Sequence, residues 1–268
     1  MNKNAFEQIR LGKGEVSLYN FGTIRLHAYK TNDPIDDEVF ILEKDGQAVL
    51  IESPCFFDNN RELEAYLDDR KFAVAGMLLA YHMGGGHFLP EAKKYATKNA
   101  DVYGHTGGGK ALIDKFTQVF GTAFDDCVHT VTDVIEEGPV TIGGIDFHVT
   151  ATPEAFDIEI PAINAVYTHM LGHDCHSIVA GPGHADAMIA QLERYQKEGY
   201  TLILTSHYTP EDLKDADAKI AYLRNLKEIA AGCTGADAFK AAVSAAYPNY
   251  SGGNYLDMTA GFFFPTVK

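Results

Sequence analysis

The sequence predicts one α/β domain spanning residues 1–268, built of two facing β-sheets with helices on the outside. Three observations predict it. The first third of the chain alternates apolar and polar residues at the period of strands. After residue 72, continuously apolar segments of buried-strand type alternate with amphipathic helices. Both halves repeat that order, and no linker or low-complexity run separates them.

The strands of the first third are EVSLYNFG (15–22), IRLHAYK (24–30), EVFILEK (38–44) and QAVLIES (47–53). Asp45-Gly46 joins the last two as a hairpin, because both residues tolerate positive φ. A helix over 59–67 follows, with Asp58 as its N-cap. AVAGMLLAYH (73–82) is a buried strand that ends at the run HMGGGH. Beyond it, PEAKKYATKN (90–99) is expected helical, ADVYGH (100–105) a short strand and KALIDKFTQVFG (110–121) a helix. VTIGGIDFHVTATP (140–153) is a strand pair turning at Gly143-Gly144. INAVYTHM (163–170) is a strand, ADAMIAQLERYQKEG (185–199) an amphipathic helix and TLILTSH (201–207) a buried strand. A helix over 215–231 is closed by Gly232, and one more lies near 236–246. An aromatic tail, PNYSGGNYLDMTAGFFFP (248–265), ends the pattern.

The composition excludes some function classes. With 46% hydrophobic residues the chain has ample material for a core. A formal net charge of -15 argues against nucleic acid and anionic membranes as partners, since phosphate contacts need Lys and Arg. The longest apolar run, at 72–81, is too short to span a bilayer, and the N-terminus has no apolar core of signal-peptide type. Cys55, Cys127, Cys175 and Cys233 form no CxxC pair and read as reduced residues. The expectation is a cytoplasmic protein with a small-molecule substrate or ligand.

The chemistry gathers at strand ends. Three apolar strands finish in histidine: LLAYH at His82, NAVYTH at His169 and LILTSH at His207. Strand ends collect at one edge of an α/β sheet, where sites are usually built. Imidazole is the commonest side-chain ligand of zinc and similar ions, so three such histidines suit a metal. The glycines between His82 and His87 allow a tight turn and a close approach of the backbone.

The order of these features resembles the metallo-β-lactamase superfamily over about residues 20–230. Where that family has a strand ending LIDTG, this chain has LIESP at 50–54. For T-H-x-H-x-D-H it has Tyr81-His82-Met83-Gly84-Gly85-Gly86-His87, and for the TPGH loop Thr152-Pro153-Glu154-Ala155. For the strand ending TGD it has Thr168-His169-Met170, and a final strand ends in the ligand His207. The resemblance implies a four-layer αββα sandwich of two mixed sheets flanked by helices. It also implies metal-ligand roles for His82, His87 and His207. Gly84, Gly86, Ala155 and Met170 stand where the family has its other ligands, including the water-orienting Asp and the bridging carboxylate. A dinuclear site of the usual type is therefore not expected.

A rebuilt, mononuclear site is one expectation. The segment HMLGHDCHS carries His169, His173, Asp174, Cys175 and His176, with histidines three and four apart, as on one helix face. His87 and His207 with either His169 or His173 would give three neutral ligands and an open position, with His82 nearby. Such a set suits zinc or another transition metal, at most one per chain. Asp174 is the candidate base. The reaction expected is hydrolysis of a small ester, lactone or amide. The other expectation is a metal-free, non-catalytic relative that binds a small molecule or a protein partner in the former active-site cleft.

Remaining motifs are weaker. Gly104-His105-Thr106-Gly107-Gly108-Gly109-Lys110-Ala111 approaches a phosphate-binding P-loop, but Ala111 replaces the magnesium-binding Ser or Thr, leaving an anion contact at most. Cys127-Val128-His129 has no third ligand close in sequence. Asp125, Asp126, Asp133, Glu136 and Glu137 lack calcium-loop spacing. The aromatic tail is expected in the core, in a pocket wall or in a homodimer contact.

Overall fold

The computed structural model describes residues 3–169 and 172–265. Among the described residues, fourteen strands form two mixed sheets, of eight and six strands. The first comprises β1 (Glu7–Arg10), β2 (Glu15–Asn20), β3 (Arg25–Lys30), β4 (Glu38–Lys44), β5 (Gln47–Ile51), β6 (Ala73–Leu78), β7 (Lys94–Ala96) and β8 (Asp133–Val134), adjacent in chain order. Its first five strands are antiparallel; β5 to β8 pair parallel. The second comprises β9 (Gly138–Ile142), β10 (Ile145–Ala151), β11 (Phe156–Ile160), β12 (Ala165–Thr168), β13 (Leu202–Thr205) and β14 (Tyr208–Glu211). There, β12 and β13 pair parallel, with Thr168 opposite Thr205.

The chain divides into two compact units, Met1–His169 with Leu202–Pro210, and Met170–Thr201 with Glu211–Lys268. In the first unit the two sheets share one core. Leu26, Phe40, Leu42, Val49 and Ile51 of the first sheet pack with Phe147, Val149, Phe156, Ile158 and Tyr167 of the second. Strand periodicity places them there: in β10, Ile145, Phe147 and Val149 point inward while Asp146 and His148 point out. The other face of the first sheet, through Val39, Ile41, Leu50 and Met77, is covered by Leu63, Tyr66 and Leu67 of α1 (Phe57–Asp69). The hairpins turn as expected: Asp45 and Gly46 have φ of 52° and 78°, and Gly143 and Gly144 have 56° and 72°.

Three elements differ from the sequence reading. PEAKKYATKN is not a helix; its KYA is β7, which takes a ladder place beside Met77 and Leu78. ADVYGH is not a strand but part of α2 (Lys98–Thr106), whose N-cap Thr97 accepts from Ala100 N–H. Only Gly107 separates α2 from α3 (Gly108–Phe120), Gly108 and Gly109 open α3, and Lys110 pairs with Asp114 one turn on. The P-loop likeness therefore lacks the strand it needs. Helix α1 is capped at Phe56 without a side-chain bond, and Asp58 sits in its first turn, paired with Lys13 and Arg61.

The second unit is helical. It holds α4 (Pro182–Glu198), α5 (Leu213–Ala231), α6 (Ala236–Ala246) and α7 (Gly253–Phe263). Asp212 and Asp215 close a reciprocal capping box at the start of α5. Helix α7, absent from the sequence reading, folds the aromatic tail back on α6, with Phe263 stacked on Phe239 at 5.3 Å. The segment 172–181 is irregular, so His173 and His176 do not share a helix face. No helix among the described residues is long and apolar enough to cross a membrane.

Candidate metal centre

Three strand ends of the first unit deliver the site. His82 lies four residues beyond β6, His169 directly after β12, and His207 two residues beyond β13. Their donor nitrogens all lie within 4.8 Å of one another. The closest approach is between the Nε2 atoms of His82 and His207, 3.2 Å apart. The His169 ring stands edge-on to both, with centroids 5.4 and 5.0 Å away, and Tyr81 stacks on its face at 4.4 Å.

Each imidazole is held from behind. Asp37, fully buried just before β4, has Oδ1 at 3.2 Å from His207 Nδ1 and 3.5 Å from His82 Nδ1. His207 Nδ1 also meets the Ile35 carbonyl at 3.1 Å. Burial by itself would raise the Asp37 pKa, but the His82 charge and the His207 hydrogen bond bring it below the usual carboxylate value. Burial would lower the His207 pKa, and Asp37 outweighs that and raises it. His169 is driven well below the ordinary imidazole value, first by burial and then by His207 and His82.

A chain of hydrogen bonds fixes the His169 tautomer. Glu52, buried at the end of β5, accepts the backbone N–H groups of Tyr81 and His82 at 2.8 and 2.9 Å. It also accepts the Tyr167 hydroxyl. A carboxylate only accepts, so Tyr167 spends its one proton on Glu52. Ser206, 2.6 Å away, must then donate to Tyr167. The Ser206 oxygen is left to accept from His169 Nδ1 at 2.8 Å, which leaves His169 Nε2 with a bare lone pair.

The same accounting applies to the other two rings. His207 Nδ1 faces a carbonyl and a carboxylate, so it donates and Nε2 is bare. If His82 donates Nδ1–H towards Asp37, two lone pairs face each other across 3.2 Å. If it donates from Nε2 instead, its bare Nδ1 faces the carboxylate. Either neutral tautomer carries a repulsion that a cation between the rings removes.

The donor set therefore fits one ion held by three neutral imidazoles with second-layer carboxylate support. It does not fit the two-metal arrangement. Gly86 has no room for the family's Asp: a Cβ there would lie 2.7 Å from Cys127 Sγ and 2.9 Å from its carbonyl oxygen. Gly84 brings no donor, and Ala155 is a fully buried methyl in the 152–155 turn. Met170 lies outside the described residues.

The remaining sequence candidates sit elsewhere. His87 is in neither three-ligand group found among the described residues. Its ring is 64% exposed, and its Nδ1 donates to the buried Asp125 at 2.7 Å, which also accepts its backbone N–H. That hydrogen bond and charge raise the His87 pKa. His173 belongs to the second unit, with Glu211 and Asp215, and Asp174 is exposed beside it. His129 is buried against Ser53, Cys55 and Cys175 are buried, and Cys127 and Cys233 are half-buried. The sequence reading missed Asp37, Glu52, Tyr167 and Ser206. The one signal for any of them was Glu52, which stands at the acidic position of the LIDTG-like strand.

Comparison with known proteins agrees with this architecture. No family model matches the sequence, and no curated protein does. The stereoselective inverting sec-alkylsulfatase of a Pseudomonas species superposes over 88% of this chain with a TM-score of 0.65 and 15% identity. The chain spans about half of that enzyme's length, 48%. A metallo-β-lactamase family protein of Thermus thermophilus matches over 90% of this chain and 91% of its own, at a TM-score of 0.62 and 13% identity. A metallo-β-lactamase of Erythrobacter litoralis matches over 82% of this chain and all of its own, at 0.58 and 12%. At such identities the likeness speaks for architecture, and with the two mixed sheets and their order it gives one conclusion: the chain has the metallo-β-lactamase fold.

Proposed function

We propose that this protein is a mononuclear, metal-dependent hydrolase whose ion is held by His82, His169 and His207. The observation that carries the reading is the 3.2 Å approach of the His82 and His207 Nε2 atoms: with His207 donating from Nδ1, each neutral tautomer of His82 meets a repulsion, at His207 Nε2 or at Asp37. Zinc or a similar transition ion suits three neutral nitrogens. Such an ion, when bound, polarises a carbonyl and lowers the pKa of water.

The chain's own residues set up that chemistry. Asp37 lies within ion-pair distance of two rings, and Ser206 fixes the tautomer of the third. Glu52 ties the backbone at Tyr81 and His82 to the end of β5, so His82 cannot drift from the other strand ends. Tyr81 covers the face of His169 and limits water there. Three neutral ligands leave the ion its full positive charge, which suits an ester, lactone or amide substrate. The sec-alkylsulfatase among the structural neighbours adds sulfate esters to the substrates worth assaying.

A second reading has its own support. With one extra proton shared by the pair, each Nδ1–H faces Asp37, one Nε2–H bridges the two rings, and the pair needs no metal. The cleft would then bind an anionic small molecule without catalysis. A panel of esters, lactones, amides and alkyl sulfates, assayed before and after chelation and with zinc restored, separates the two. Turnover that disappears with chelator, returns with zinc and is absent in His169→Ala supports the hydrolase. Turnover indifferent to chelator and to His169→Ala removes it.

A further inference from the structure

The second unit contains a second set of converging ligands. His173 Nδ1 lies 2.9 Å from Glu211 Oε1 and 3.4 Å from Asp215 Oδ1. All three donor atoms fall within 4.8 Å of one another. Both carboxylates are buried, each at 7% exposure, whereas the imidazole is 31% exposed and opens the group to solvent.

We propose that His173, Glu211 and Asp215 form a separate divalent-cation site. Two buried carboxylates converge here on one ring nitrogen, which has a single proton to give. That nitrogen lies 2.9 Å from Glu211 Oε1 and 3.4 Å from Asp215 Oδ1, so both carboxylates and the ring face one point. A cation serves both. Ligands bonded at about 2.0–2.2 Å stand about 3.0–3.5 Å from each other around one ion, and the two measured separations fall near that range.

The frame is rigid before any ion arrives. Glu211 ends β14, and its Oε1 accepts the His173 backbone N–H at 2.7 Å, which pins the loop to the carboxylate. Asp215 is the third residue of α5, and its other oxygen accepts Asp212 N–H at 2.9 Å in the capping box. That bond leaves Oδ1 aimed at the histidine. The buried ammonium of Lys219, one turn further along α5, is occupied by the Cys175 carbonyl and Ser177 hydroxyl, each at 2.8 Å.

One nitrogen and two carboxylate oxygens make a harder donor set than three imidazoles. The site therefore takes Mn2+ readily, with water completing the shell on the open side, and Mn2+ reports its own binding through loss of the free-ion EPR signal. The experiment titrates Mn2+ into the chelator-treated full chain, into Glu211→Gln/Asp215→Asn and into His82→Ala/His207→Ala. Circular dichroism checks each fold, and His173→Asn is a milder variant if the double carboxylate change unfolds the chain. One Mn2+ per chain, kept in His82→Ala/His207→Ala and lost in Glu211→Gln/Asp215→Asn or His173→Asn, supports the site. No bound Mn2+ in the wild type, or binding unchanged in the folded Glu211, Asp215 or His173 variants, overturns it. Neither result bears on the three-imidazole centre, whose own variant is scored separately.

Discussion

His82 and His207 bring their Nε2 atoms to 3.2 Å from each other while their Nδ1 atoms share one carboxylate oxygen of Asp37. The shared oxygen makes Asp37 the orienting group of the centre. In Asp37→Asn, an amide N–H can face the imidazoles, reversing the tautomer and placing a proton on Nε2 where the lone pair belongs. The expected result is a loss of about 10–100-fold in zinc affinity with the fold retained, read by competition with a chromophoric chelator.

Glu52 takes two backbone N–H groups and a hydroxyl with its buried carboxylate. Glu52→Gln replaces one acceptor oxygen with a donor facing a donor. The expected cost is about 1–3 kcal/mol of unfolding free energy in a denaturant titration. Affinity for zinc falls too, because the chain of bonds through Tyr167 and Ser206 no longer fixes His169.

Gly86→Asp restores a ligand type that the fold family places there, yet it should not build a second metal position. The new Cβ meets Cys127 Sγ and the Cys127 carbonyl. Metal content stays unchanged and stability falls by about 1–3 kcal/mol, as for other overpacked positions. A gain of one bound metal without destabilisation would show that the 83–87 turn has space that this packing denies.

Asp33, in the loop that carries Asp37, has its pKa raised to about 7, mainly by burial and then by the Asp37 charge. The folded form thus holds its proton more tightly than the unfolded form, whose value is 3.8. Its stabilising effect is full below 3.8 and is lost as pH rises through 7. Asp33→Asn keeps the acceptor for Ile35 N–H and removes the titration. The variant's stability relative to wild type should therefore climb between pH 4 and pH 7, by up to roughly 4 kcal/mol, in metal-free protein.

Much of this architecture is written in local pattern. Strand alternation, the Asp45-Gly46 turn and the three apolar strands ending in histidine all depend on residues near in sequence, and these placed both sheets and the three ring nitrogens' strand ends. What was not legible depends on distant partners. KYA becomes β7 because β6 offers a parallel edge, not because of its own propensity. Asp37 reads as one more acidic loop residue in DPIDDE until His82 and His207, 45 and 170 residues on, come to rest against it. Asp215 reads as the start of a helix, and Glu211 carries no signal before it; His173 joins them only in the folded chain.

His82 and His207 are proposed to hold one ion between them. Elemental analysis of purified wild-type chain and of folded His82→Ala/His207→Ala, prepared side by side in zinc, tests it most directly. The variant is expected to carry one equivalent less of zinc per chain than the wild type. Equal zinc content in the two, with both folded, would contradict it.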